Sequence, residues 1–364
     1  MNVCFMLGGF YNNGGIGRVT SIVANLLVGN ENFKVHTLSY AKENKPYLYE
    51  LDKRIFDDHF LEKRESMSKV LFGGGIKKLK KYIEENHIDV MIACGALFFP
   101  ICSLACRKIP CKCICWEHSN GNNNADYRFQ GLCKFIGSKY SDAILNITKQ
   151  DQNIYKKKFK ARRYFQIYNP VDPVLQKDDD YYNSESNRII TVGRLTYPKN
   201  YPALIKVAQK VLSSCKQWKW DIYGEGKERK KITQLIQEAG LEKKVFLKGQ
   251  VSDLYNRYSQ YAFLVMTSRY EGFGMALIEA ASKHLPTVAF DIECGPREII
   301  EDGINGYLIP AFDCDMMAEK IKKLCDSVEL RKQFSKATIE TRQKFSEKEI
   351  VVKWLEMLDV VYKS

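Results

Sequence analysis

The sequence predicts an α/β protein made of two doubly wound domains in series, and three observations carry that reading. Short apolar runs of strand length alternate with helical patterns along nearly the whole chain, which is the signature of βαβ units and parallel sheets. A length of 364 residues suits about two domains at roughly 100–200 residues each. The alternation breaks once, at Asn169-Pro170-Val171-Asp172-Pro173 and the polar run from Asp178 to Ser184, and restarts at Arg188. Proline punctuation with clustered acids reads as a linker. The expected boundaries are 1–172 for the first domain, 173–187 for the linker and 188–345 for the second domain. The last helix, 348–364, is expected to pack back across the first domain through Trp354, Leu355, Leu358 and Val361.

In the first half the expected strands are Val3–Leu7, Lys34–Ser39, Asp89–Cys94, Cys111–Trp116, Asp142–Thr148 and Tyr164–Tyr168. Helical patterns lie between them at Ile16–Leu27, Ile76–Glu85 and Tyr127–Tyr140. The uncharged run from Val90 to Cys106 is broken by Gly95 and Pro100 and falls short of the ~20 apolar residues of a membrane span, so it reads as strand, loop and helix. In the second half the strands are Arg188–Gly193, Trp218–Tyr223, Val245–Lys248, Ala262–Thr267, Thr287–Phe290 and Gly306–Ile309. Helices are expected at Pro202–Leu212, Lys227–Ala239, Leu254–Gln260, Met275–His284, Pro296–Glu301, Met316–Asp326, Leu330–Phe345 and Lys348–Tyr362.

Composition narrows the classes. A hydrophobic content of 45% supports packed cores and argues against global disorder. The opening Met1-Asn2-Val3-Cys4-Phe5-Met6-Leu7 lacks a basic leader and reads as a first strand. Twelve cysteines without a secretion signal imply reduced thiols in the cytoplasm. Cys111-Lys112-Cys113-Ile114-Cys115 alternates like a strand and contains no CxxC pair, so core cysteines are favoured over zinc. The net charge of +13 is uneven: residues 1–176 hold 26 Lys+Arg and 16 Asp+Glu, and residues 177–364 hold 30 and 27. The basic front half suggests an acidic partner. Two runs, Leu71–Ile83 and Lys156–Arg163, read either as surface helices or as contacts with anionic lipid.

The stretch Glu271-Gly272-Phe273-Gly274-Met275, followed by a helix bearing Glu279, stands between an apolar strand and that helix. Glycines let the backbone approach a ligand, and a helix N-terminus offers unpaired N–H groups to phosphate. Glu279 on the helix suits paired hydroxyls such as those of a ribose. Arg194 and Lys199, five apart on one loop at a strand's carboxyl end, suit a diphosphate. Gly14-Gly15-Ile16-Gly17-Arg18 opens the first helix and places amides at the corresponding edge of the first sheet. His118, in Glu117-His118-Ser119-Asn120, sits at another carboxyl end, where it would meet a sugar hydroxyl or a phosphate, or simply belong to a helix-capping turn. Tyr223-Gly224-Glu225-Gly226 and Gly249-Gln250-Val251-Ser252 end two further strands, where backbone atoms would hold a base. Ligands of such sheets bind beyond the carboxyl ends, and a cleft between two domains is the usual place.

Taken together and in this order, these motifs resemble glycosyltransferase family 4, retaining enzymes of the GT-B fold, over nearly the whole chain and most strongly from Arg188 to Pro310. That resemblance implies two Rossmann-like domains facing a central cleft, the first binding the acceptor and the second the nucleotide-sugar. It implies that Arg194 and Lys199 bind the donor diphosphate, Glu279 the ribose and Glu271 the donor sugar. Phe273, Gly274 and Met275 would offer amides, with Gly272 and Gly224 lining the donor and Val251 beside the base. Gly15 and Gly17 would lie near the phosphates and His118 near the sugar, so that Glu271 and His118 are the expected catalytic pair. Arg18 departs from many relatives, which place an acidic residue or alanine there. No metal or other cofactor is expected. The donor would be a UDP-sugar, UDP-GalNAc or UDP-Gal first, and the acceptor a lipid-diphosphate-linked glycan of bacterial capsule or surface polysaccharide. The enzyme would be cytoplasmic, peripheral on the membrane through its basic front half, with no nucleic-acid partner. A UDP-sugar 2-epimerase and a basic nucleic-acid-binding protein are the competing readings; the second lacks a recognition helix or aromatic-basic strand motif.

Overall fold

The computed structural model describes residues 1–11, 14–122, 129–176 and 182–364. The chain divides into two compact units, Met1–Pro170 with Glu347–Ser364, and Val171–Ser346.

The first unit is built on seven strands: β1 (Asn2–Leu7), β2 (Lys34–Ser39), β3 (Phe56–His59), β4 (Val90–Cys94), β5 (Lys112–Glu117), β6 (Ala143–Asn146) and β7 (Tyr164–Gln166). They pair in the order β3-β2-β1-β4-β5-β6-β7, every pair parallel. The second unit holds six: β8 (Arg188–Val192), β9 (Lys219–Tyr223), β10 (Val245–Gly249), β11 (Phe263–Met266), β12 (Thr287–Asp291) and β13 (Gly306–Pro310). Their order is β10-β9-β8-β11-β12-β13, again all parallel. Central strands such as Val90–Cys94 and Phe263–Met266 are buried along their whole length, as strands covered by helices on both faces must be. In each sheet the strand order reverses at one place, between β1 and β4 and between β8 and β11. The carboxyl ends on either side of such a reversal leave a crevice for ligands.

Three local differences from the sequence reading have physical causes. β3 is an edge strand whose Phe56, Asp57 and Asp58 are exposed, so it lacks the apolar signal that marks a buried strand. Of the basic run Lys156–Arg163, Lys156–Lys158 form the last turn of a helix, Lys149–Lys158, whose Thr148 side chain accepts from the Asp151 amide at 3.0 Å, and the rest lies beyond the helix end. Cations in that turn suit the negative end of the helix dipole. The segment expected as a linker belongs to the second unit. Val171 N donates to Phe345 O (2.9 Å), Tyr182 OH to Ala262 O (2.6 Å) and buried Arg331 to Ser184 O (2.7 Å). The acidic run 177–181 and the expected helix start at Tyr127 lie outside the described residues; from Gln130 to Tyr140 the chain is helical.

The helix Glu347–Tyr362 closes the first unit. Its Trp354, 1% exposed, meets Phe5 of β1 (6.0 Å between ring centres) and Trp116 of β5 (4.7 Å, edge-on). The cysteines from Cys94 to Cys115 are buried and reduced. Among the described residues no three His, Cys, Asp or Glu side chains are grouped to hold a metal ion, and no helix is long and apolar enough to cross a membrane.

Candidate active site

The loops that follow β8 and β11 flank the reversal point of the second sheet, and side chains tie them together. After β8 the chain turns through Tyr197–Lys199 and enters the helix Tyr201–Leu212 with Asn200 left-handed at φ 54°. Tyr201 OH donates back to Gly193 O at 2.8 Å. After β11 come Thr267 and Ser268, then the Glu271 loop, then the helix Met275–Ser282. Lys199 Nζ lies 2.5 Å from Glu271 Oε1, and Ser268 Oγ donates to that same oxygen at 2.6 Å. Thr267 Oγ1 donates to Lys199 O (3.2 Å), and Arg269 N to Pro198 O (2.7 Å). The Lys199 and Glu271 side chains are 21% and 13% exposed, so the pair is ordered by its neighbours yet reachable by a ligand. Gly193 is small because the Lys199 stem crosses it: a Cβ there would come 3.1 Å from Cε.

The β9 and β10 ends join this edge through the backbone. Gly193 N donates to Tyr223 O (3.0 Å), Leu195 N to Glu225 O (2.9 Å) and Gly224 N to Gly249 O (2.8 Å). Gly224, at φ +135°, faces the Gly193 carbonyl so closely that a Cβ would be 2.0 Å from its oxygen; packing of the Arg194 loop explains this glycine. Arg194 is exposed and forms no ion pair among the described residues. Val251 is half-buried beyond β10.

The helix tip after β11 is held from behind. Phe273 is 3% exposed and meets Phe345 edge-on at 5.4 Å, while Gly272 is half-buried. Gly274 is left-handed at φ +100°, which turns the chain so that Met275 begins the helix. Glu279 is 3% exposed and accepts from Tyr258 OH at 2.9 Å, so this carboxylate is oriented from below. Gly295, at φ +102°, would place a Cβ 2.1 Å from Phe273 O. Gly295→Ala should therefore displace the 271–274 loop and cost about 1–3 kcal/mol of stability. A fall in melting temperature checks this; a parental melting temperature would show that the loop does not depend on that contact.

In the first unit, Gly15 begins the helix Gly15–Val28 and Gly17 is buried within its first turn. Gly17 is packed against the Tyr49 ring and Gly9 O, whereas a Cβ at Gly14 or Gly15 would meet nothing within 4 Å. Tyr49 OH accepts from Gly14 N (3.0 Å) and braces the loop.

His118 follows β5 and lies over Trp116, with ring centres 4.2 Å apart. Its Nε2 is buried without a hydrogen-bond partner among the described residues, as are the indole nitrogens of Trp116 and Trp354. Crowding by protein pushes the His118 pKa well below the histidine range against the opposing pull of Glu117, so the imidazole is neutral at pH 7. A neutral ring with an unpaired nitrogen suits a hydroxyl partner.

Glu117, beneath it, is almost fully buried. Burial pushes its carboxyl up, but Lys134, Tyr155 and Ser119 outweigh that and hold it below the usual glutamate range. Lys134 Nζ stands 3.5 Å from Oε2, Tyr155 OH donates to Oε2, and Ser119 N and Oγ donate to Oε1 at 2.9 and 2.7 Å. Nearby Asp151 accepts from Gly121 N (2.6 Å) and Asn146 Nδ2 (2.7 Å). Burial, and then Glu117, push Asp151 up to about 7. Between its unfolded value near 3.8 and that folded value the native state binds the extra proton, so Asp151 lowers stability as pH rises through this window. Asp151→Asn should accordingly gain stability relative to the parent from about pH 4 to 7 and then level off, the Asn146 amide flipping to present its oxygen, which has no partner among the described residues. Melting temperatures across pH test the sign; a difference that shrinks as pH rises would contradict it.

Sequence reasoning missed Ser268, Thr267 and Tyr258, which orient the site, and the Lys134–Tyr155–Asp151 network under Glu117. For the last, Thr148 with Asp151 three residues on was a readable helix start.

Residues 176–341 match the family model described as Glycosyl transferases group 1. Over 364 residues the chain is 28% identical to the amylovoran biosynthesis glycosyltransferase AmsD of Erwinia amylovora, spanning 97% of this chain and 98% of that protein. It is 38% identical over 287 residues to the poly(ribitol-phosphate) alpha-N-acetylglucosaminyltransferase of Staphylococcus aureus, spanning 77% of this chain and 57% of the relative. Among solved structures, a mutant of S. aureus TarM in complex with Fondaparinux, alpha-GlcNAc-glycerol and UDP is similar with a TM-score of 0.82 at 18% identity, over 100% of each chain. At that identity the likeness speaks for the fold.

Proposed function

Since this chain is a glycosyltransferase of GT-B fold whose residues 176–341 match the group 1 family model, we propose that it is a retaining enzyme moving a hexose or N-acetylhexosamine from a UDP-sugar to a lipid-diphosphate-linked glycan. UDP-GalNAc and UDP-Gal are the first donors to try, and bacterial surface polysaccharide assembly is the setting. The observation that carries this reading is the Lys199–Glu271 pair, held at the reversal point of the second sheet beside a helix N-terminus.

Lys199 is paired with a single carboxylate, that of Glu271. A UDP-sugar brings two phosphates, which outbid one carboxylate for the ammonium. Glu271, still held by Ser268, is thereby released toward the sugar hydroxyls. Arg194 and the amides at the start of the helix Met275–Ser282 complete the anion site. Together these fixed charges stabilise the leaving diphosphate and do the work a metal would do in other transferases. Glu279, braced by Tyr258, takes the ribose, and Val251 lies by the base. The acceptor hydroxyl attacks from the face the diphosphate leaves, and a phosphate oxygen of the donor takes its proton. His118, neutral, donates to or accepts from a sugar hydroxyl.

The relatives' names support a surface-polymer acceptor: one is named for amylovoran biosynthesis and another for poly(ribitol-phosphate). The excess of 26 Lys+Arg over 16 Asp+Glu in residues 1–176 suits a phosphate-bearing acceptor of either kind, and the 38% identity to the second relative makes UDP-GlcNAc with poly(ribitol-phosphate) the second reading. The glycosyltransferase names of these relatives favour neither an epimerase nor a nucleic-acid binder.

The test is incubation with UDP-GalNAc, UDP-Gal, UDP-GlcNAc and UDP-Glc, each with a lipid-linked glycan or with poly(ribitol-phosphate), in the presence of EDTA. Glycan growth with an α product from an α donor is expected. An inverted product, or loss of turnover in EDTA, contradicts the mechanism, and epimer formation without acceptor contradicts the function.

A further inference from the structure

The helices Met67–Phe72, Gly75–Glu85, Phe99–Ala105 and Gln130–Tyr140 pack in succession, each against the next, in the first unit. The sequence directs attention to the lysines of the second helix, but several of them are engaged. Lys78 turns its ammonium onto Phe60 O at 2.5 Å, Lys81 pairs with Glu85 at 3.4 Å, and Glu84 shares the exposed flank.

The fourth helix is different. Cys133, Lys134, Gly137 and Ser138 face inward, while Leu132 and Phe135 are 54% and 52% exposed. Three residues apart, those two share one face, and Phe129, just before the helix, is 63% exposed. Cations adjoin this face. Lys139 Nζ lies 5.9 Å from the Phe135 ring and 5.3 Å from the Tyr140 ring, and the Arg107 guanidinium lies 4.8 Å from the Tyr140 ring. Lys108 is exposed next to Arg107. Neither Phe99–Ala105 nor Gln130–Tyr140 contains an acidic residue.

We propose that this face of the helix Gln130–Tyr140 docks on an anionic phospholipid surface, with Leu132 and Phe135 entering the interface and Arg107, Lys108 and Lys139 meeting headgroups. Apolar side chains ringed by cations match such a surface. The stripe is narrower than the ~100° apolar face that burial against a protein core requires, and carboxylates to specify a protein partner are missing from both helices.

Sedimentation of the full chain with vesicles of mixed phosphatidylcholine and phosphatidylglycerol tests it. Binding is expected that weakens with salt and is much lower on pure phosphatidylcholine. Leu132→Ser with Phe135→Ser should lower partitioning at least about tenfold, and Lys139→Glu by roughly fivefold or more. Lys77→Glu with Lys81→Glu should cost less than Lys139→Glu. Equal binding to both vesicle types, or full binding by the serine double variant, overturns the proposal. A dimer that the double variant converts to monomer would assign the face to a second copy and also overturn it. UDP release in the absence of vesicles should be unchanged in the double variant, so failure of docking and failure of the donor assignment are read separately.

Discussion

Lys199→Ala is expected to lower kcat/KM with the best UDP-sugar by about 10²–10³, the loss typical of removing one fixed charge from a site where negative charge develops. Stability should hardly change. The Lys199–Glu271 pair is partly open to solvent, and such pairs contribute at most about 1 kcal/mol. Ser268 keeps its bond to Glu271 when the lysine is gone, so the carboxylate is not left adrift. Arg194→Ala should fall in the same direction by a smaller factor, because Arg194 is exposed and lacks the bracing that fixes Lys199. The measurement is steady-state kinetics beside melting temperature. Near-parental kcat/KM in the lysine variant would remove the diphosphate from this loop.

Trp354→Ala should cost about 3–5 kcal/mol, the usual range for deleting a buried tryptophan. The indole, with its rings against Phe5 and Trp116, joins the last helix to two strands of the first sheet. Deleting it leaves a cavity that three separate elements would have to collapse to fill. His118 also packs against Trp116, so the change should also disturb the imidazole. Urea unfolding followed by hydrogen exchange would locate the effect. The first unit should lose protection at lower urea while the second keeps its own midpoint. Equal weakening of both units would mean that Trp354 matters to more than the unit it is packed in.

Much of the fold is legible because buried parallel strands announce themselves. Val90–Cys94 and Phe263–Met266 are apolar on both faces, and the glycines after β1 and β11 mark the turns that follow. Phe56–His59 is not legible, because an edge strand with two exposed aspartates carries no apolar alternation. The site divides in the same way. Placing Arg194, Lys199, Glu271 and Glu279 at strand ends needs only the strand–loop–helix order. The salt bridge between Lys199 and Glu271 joins residues 72 apart, and the Tyr258–Glu279 bond joins residues 21 apart; no spacing rule reaches across such distances. Gly224 shows the limit from the other side: read as ligand-lining, it also has a packing reason in the Gly193 carbonyl above it. Neither the neutrality of His118 nor the raised pKa of Asp151 is readable, since both depend on what surrounds them in space.

The most direct measurement is a crystal structure of the full chain with UDP. The diphosphate should lie within hydrogen-bond distance, about 3 Å, of Lys199 Nζ and of an amide at the start of the helix Met275–Ser282, with Glu271 moved off the lysine and the ribose on Glu279. UDP bound away from the ends of β8 and β11, with the Lys199–Glu271 bridge intact, would contradict the account.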